Sequence, residues 1–260
     1  MGKRRPRWCY NLYKSYLNEG RGQGEGADYK PWITIHDFPS NGVVSRIFGR
    51  KTHRIHHLLS RNESNYFYIL DDSPAITDIR EQFPLRLSET LEIARDLGVA
   101  HPQSNGFPFV MTTDFLLTTP QGLVARTVKP SKELLKPRVR EKFEIERIYW
   151  TSRGIDWKIV TEHEISVQKA INLKWLYGGT RLAEHVPDPE KRLRLQELFL
   201  LLYEDNSLPF PEVLEQTEQV GGQPPGTGII IFKSLLQEGK LHVDMDRRIS
   251  LSEPRNGGVP

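Results

Sequence analysis

The stretch Met111–Pro130, MTTDFLLTTPQGLVARTVKP, restricts the fold more than any other part of the chain. Residues 110–118 and 123–128 are rich in β-branched and apolar side chains, and Pro120, Gln121 and Gly122 sit between them, so the pattern predicts a β-hairpin. Pro120 fits the second position of a type I turn and Gly122 the fourth. Strand side chains alternate between faces, which puts Thr127 and Lys129 on one side and lets Asp114 on the partner strand meet them. A carboxylate and a Lys on neighbouring strands suit metal-dependent phosphodiester hydrolysis. The carboxylate holds a hard cation and the ammonium offsets developing charge. A structural reading fits the same residues: the Asp caps a bulge, and the Lys is a solvated edge charge that discourages aggregation. Spacing alone does not choose between them.

At 260 residues the chain is long enough for one large core or for two domains. Its 37% hydrophobic and 27% charged content is that of an ordinary folded protein. No apolar run approaches the length of a membrane span, and MGKRRPRWCY has no signal-peptide core, so a soluble cytoplasmic protein is expected. Cys9, the single cysteine, has no partner for a disulfide or a thiolate zinc site. A net charge of +3 permits a polyanionic partner without requiring one. Lys3, Arg4, Arg5 and Arg7 form a basic arm that suits either phosphates or free solvent.

Gly20, Gly22, Gly24 and Gly26 alternate along LNEGRGQGEGADYKPW, but neither a P-loop nor a dinucleotide fingerprint follows, so a mobile or tightly turned loop is expected. Irregular strands over 31–48 lead to a predicted helix over 52–72, stopped by Ser73-Pro74. Within it, Ser60-Arg61-Asn62-Glu63 reads as a capping box, which gives Glu63 a purely structural role to set against any chemical one. His36, His53, His56 and His57 lack zinc-site spacing and are expected to face solvent or phosphate. A strand over 75–85, helices over 87–97 and 137–154, a strand over 155–161 and a helix over 166–177 complete an α/β or α+β first domain. After Thr180 come helices over 188–203, 212–220 and 227–237, then LHVDM and ISL as a two-stranded ribbon. This layout is that of a winged helix-turn-helix, which binds DNA or protein.

The segments EGRGQGEGADYKPW, KTHRIHHLLSRNE, ITDIREQFPL, HP at 101–102, MTTDFLL, VKP at 128–130, KFEIERIYW and LKWLY, in that order, resemble the TnsA family, the endonuclease subunit of heteromeric transposases in Tn7-like and CRISPR-associated transposons. The resemblance implies an α/β restriction-endonuclease-like catalytic domain over 1–180, followed by a small winged-helix-like α(+β) domain over 181–260. It assigns Glu63, Asp114 and Lys129 to catalysis with Mg²⁺, the metal being held by Glu63 and Asp114. The family typically has Gln two residues before the Lys, where this chain has Thr127. A hydroxyl is a weaker Mg²⁺ ligand, so a further contact would come from water or from the Val128 backbone carbonyl. Transposon-end DNA, a DDE-type transposase (TnsB-like) and an AAA+ regulator (TnsC-like) are the implied partners. A stand-alone restriction-type nuclease and a catalytically silent adaptor remain as alternatives, the latter with Thr127 as a sign of decay.

Overall fold

The computed structural model describes residues 8–37, 43–205 and 207–252, in two compact units, Met1–Ser166 and Val167–Pro260. The basic arm of Lys3, Arg4, Arg5 and Arg7 lies outside the described residues. In chain order the first unit contains α1 (Tyr10–Asn18), β1 (Ser45–Gly49), β2 (Arg54–Leu58), α2 (Arg61–Asp72), β3 (Asp78–Pro84) and α3 (Leu87–Asp96). The short strands β4 (Gln103–Ser104) and β5 (Phe107–Pro108) follow, then β6 (Thr112–Thr119), β7 (Gly122–Val128), α4 (Pro137–Thr151) and β8 (Asp156–Val160).

The main sheet has the order β3-β6-β7-β8. Its first three strands are antiparallel, and β8 lies parallel to β7, which requires a crossover that α4 supplies. The expected hairpin is present, with Thr119 opposite Gly122. Gly122 has φ +118°, a conformation that side-chain-bearing residues rarely adopt. Phe115, Leu117 and Val128 pack with Phe67 and Leu70 of α2 on one face. Leu116 and Ala125 pack with Tyr149 and Trp150 of α4 on the other. Each fully buried Leu or Phe of these layers contributes about 1.5–3 kcal/mol, so the two helices hold the sheet rigid from both sides.

The expected helix over 52–72 begins only at Arg61. Ser60 is its N-cap, with Oγ accepting from the Glu63 N–H at 3.1 Å, and Arg54–Leu58 pairs instead with β1. His56 therefore does not face solvent or phosphate: it is buried, with Nδ1 2.8 Å from Glu81 Oε2 and Nε2 2.7 Å from Thr52 Oγ1. The glycine-rich segment is tightly turned. A Cβ on Gly22 would lie 2.2 Å from Pro84 Cγ, and one on Gly24 would lie 2.6 Å from the Asp28 carbonyl oxygen.

The second unit is helical: α5 (Val167–Tyr177), α6 (Leu182–His185), α7 (Pro189–Glu204), α8 (Phe210–Val220) and α9 (Thr227–Gln237) surround Phe199, Phe210, Ile231 and Phe232. This unit begins at Val167, ahead of the boundary expected at 180, and α5 packs into its core through Trp175 against Phe232. The expected ribbon is also absent, since among the described residues no strand follows Val160. Asp244 turns the chain back through its contact with the Asp246 N–H, and Asn172 Nδ2 donates to the carbonyls of Met245, at the end of LHVDM, and of Arg247 beyond it. Among the described residues no helix is long and apolar enough to cross a membrane.

Candidate active site

The site grows from a fault in the sheet. Gln82 on β3 has φ +48°, a left-handed conformation uncommon for a residue with a side chain and found preferentially where function fixes the backbone. Strand alternation breaks there. Glu81 reaches His56 on one side, whereas Phe83, two residues on, joins the α4 layer on the other. On β6, Phe115 joins the α2 layer while Thr113 bonds Glu146 of α4. The β6–β7 ladder stops at Phe115–Arg126, and beyond it the Asp114 carboxylate fills the widening gap, with Oδ2 accepting from the Val128 N–H at 2.7 Å. Gln82 Nε2 donates to Asp114 Oδ1 at 3.1 Å.

Glu63 enters from the first turn of α2. Its Oε2 accepts from the Leu59 N–H at 2.9 Å and lies 3.5 Å from Gln82 Nε2. The capping reading is thus half realised: Ser60 caps the helix as expected, but the Glu63 carboxylate returns to Leu59, not to the cap residue's own amide. Glu63, Asp114 and Lys129 line one cleft of about 440 Å³, together with Thr127, Val128 and Glu146. Burial, then the neighbouring Asp114 carboxylate, pushes Glu63 up to about 8. Burial also raises Asp114. The Lys129 ammonium acts on both in the opposite direction but does not prevail.

Two acids that resist ionising beside one another form a site with a deficit of positive charge. Among the described residues no three His, Cys, Asp or Glu side chains gather as a metal cluster. Two carboxylates supplemented by backbone, water and substrate oxygens nevertheless suit a hard divalent cation such as Mg²⁺, which keeps several non-protein ligands.

Thr127 is buried, and its hydroxyl donates to Glu146 Oε1 while accepting from Trp157 Nε1 at 3.3 Å. Thr113 donates to the same Glu146 oxygen at 2.6 Å, and Trp150 Nε1 donates to Thr113 at 2.7 Å. Burial pushes Glu146 up to about 7, against the pull of the two hydroxyls. Thr127 therefore ties β7 to α4 two residues before Lys129. Sequence reasoning passed over Gln82 and Glu146. Nothing in REQF marks the left-handed turn, but Glu146 was detectable as an acid on the apolar face that α4 forms with Tyr149 and Trp150.

Two family models match in order: "TnsA-like endonuclease N terminal" over residues 73–162 and "TnsA endonuclease C terminal" over 164–245. The chain belongs to the TnsA family. It is 46% identical over 165 residues to the Escherichia coli "Transposon Tn7 transposition protein TnsA", an alignment that takes in 62% of this chain and spans 60% of the relative's length. The two TnsA models meet beside the Ser166–Val167 division between the structural units.

Proposed function

We propose that the protein is a Mg²⁺-dependent DNA endonuclease that cleaves the 5′ ends of a transposon during cut-and-paste transposition, while a DDE-type transposase cleaves the 3′ ends. The convergence of Glu63, Asp114 and Lys129 on one cleft carries this reading, because two mutually repelling carboxylates beside an ammonium make a site for a cation and a phosphodiester. The first unit is read as a restriction-endonuclease-like catalytic domain, and the helical second unit as the part that engages DNA or partner proteins. A TnsB-like transposase and a TnsC-like AAA+ regulator are the expected partners, which suits a relative named as a transposition protein.

Glu63, Asp114 and the Val128 carbonyl would hold the metal, which when bound lends positive charge to the scissile phosphate and favours ionisation of the attacking water. Gln82 fixes Asp114 through Oδ1, and the Val128 N–H fixes it through Oδ2, so one carboxylate face is oriented before substrate arrives. Lys129 offsets the charge that builds on the phosphoryl oxygens. Water attacks phosphorus in line, the P–O3′ bond breaks, and the products carry a 5′-phosphate and a 3′-hydroxyl. Thr127 and Glu146 keep β7, and with it Lys129, in register against α4.

The test is strand-specific cleavage of transposon-end DNA in Mg²⁺, with and without the partner proteins. Cleavage of the 5′ strand only when the transposase is present supports the reading. Sequence-specific cutting of naked DNA by the chain alone would favour a restriction-type nuclease, and no cutting under any condition would favour an adaptor.

A further inference from the structure

We propose that Lys142 is a second phosphate-binding residue of the cleft and grips the phosphate adjacent to the scissile one on the cleaved strand; this rests on the nuclease reading above. Lys142 lines the cleft that holds Glu63, Asp114 and Lys129. It also lines an adjoining recess of about 460 Å³ with His101, Gln103 and Arg138, so it stands where the two spaces meet.

Arg138, Lys142 and Glu146 follow one another at intervals of four along α4 and so lie on one stripe of the helix. Glu146 is buried at the inner end of that stripe, and Lys142 is exposed one turn towards the helix start. Two nearby cations already have partners: Arg138 Nη1 lies 2.7 Å from Glu141 Oε2, and Lys136 Nζ lies 2.7 Å from Glu133 Oε2. Among the described residues Lys142 has no ion pair and no hydrogen bond. Its ammonium is disfavoured by partial removal from water and then by Arg138 and Lys129. An unbalanced cation at the mouth of a cleft built around a scissile phosphate is matched by the next anion along a nucleic acid strand, which is another phosphate.

The experiment measures binding and cleavage of transposon-end DNA by the full chain, its Lys142→Gln and Lys142→Arg variants, across a salt series. It includes DNA in which the phosphate next to the cleavage position is a neutral methylphosphonate. Lys142→Gln is expected to weaken binding about tenfold and to reduce the slope of log affinity against log salt by about 1, with the cleavage loss in KM and not in kcat. Lys142→Arg should restore binding to within about twofold, since a phosphate accepts from either cation. The methylphosphonate should weaken binding by the parent and leave the Gln variant unaffected, because the contact is already gone. An unchanged salt slope in Lys142→Gln, or full methylphosphonate sensitivity in that variant, overturns the proposal. A parent that binds DNA but never cuts it would overturn the nuclease reading instead, with the salt slope still deciding the role of Lys142.

Discussion

Two carboxylate clusters flank neighbouring residues of β3, and they have opposite electrostatics. On one side Glu81 is fully buried, with Arg54 at 2.5 Å and the His56 ring at 2.8 Å. Burial opposes its ionisation, yet His56 and Arg54 together hold it down at about 2. On the other side of Gln82, Glu63 and Asp114 face each other, and both are pushed up. The first cluster is complete as it stands, joining β2 to β3 and, through Arg54 Nε and the Gly26 carbonyl, to the glycine-rich loop. In the second, the Lys129 ammonium does not bring either carboxyl back to its ordinary range. A buried charge that is satisfied reads as architecture, and a buried pair that is not reads as a binding site.

The two clusters are expected to fail differently when broken. The largest effect is expected at Asp114: Asp114→Ala should reduce 5′-strand cleavage by about 10³-fold or more, as the loss of a central electrostatic group does, with the circular dichroism spectrum unchanged. Equal cleavage by the variant would remove Asp114 from the chemistry.

Glu81→Ala should act on stability instead. It leaves Arg54 and His56 buried without their partner, which costs about 3–5 kcal/mol, read as a lower denaturant midpoint. A midpoint equal to that of the parent would show that the ion pair holds nothing together.

Glu63→Gln sharpens the comparison, because it should stabilise the protein while removing activity. The folded pKa of about 8 lies above the ordinary 4.5. Stability from the protonated form is therefore fully present below about pH 4.5 and is lost as pH rises through about 8. Glutamine keeps an oxygen for the Leu59 N–H but cannot ionise, so the variant should be about 1–3 kcal/mol more stable than the metal-free parent at pH 8 and equal to it at pH 4.5. A melting difference that does not vary with pH would restore the capping role as the whole explanation of Glu63.

The smallest effect is expected at Thr127. Thr127→Val removes one of two hydroxyl donors to Glu146 and should cost about 1–2 kcal/mol. Cleavage should fall less than in Lys129→Ala. A Val variant as inactive as Lys129→Ala, with its fold intact, would make the hydroxyl a direct participant.

The sequence was most legible where local chemistry and tertiary packing agree. The hairpin around Gly122, the Ser60 cap and the span of α9 needed no distant partner to specify them. Glu63, Asp114 and Lys129 were named from the family resemblance, and the fold brings them to one cleft. It misled where a distant partner decides. RIHHL continues a helix-like pattern until β1 claims it as a strand, and LHVDM reads as ribbon although Asn172 holds the carbonyl of its last residue, Met245. The left-handed Gln82, on which the cleft depends, carries no sequence mark, because a Gln within a strand pattern looks ordinary.

The measurement that bears most directly on the contrast between the clusters is calorimetric titration of Mg²⁺ into the DNA-free protein at several pH values, in buffers of different ionisation heat. Binding to the Glu63–Asp114 pair must displace protons from carboxyls that resist ionising. The expected result is affinity that rises between pH 6 and about 8 with measurable proton release, both lost in Asp114→Asn and in Glu63→Gln. Mg²⁺ binding that is independent of pH, or that survives unchanged in both variants, would contradict the account.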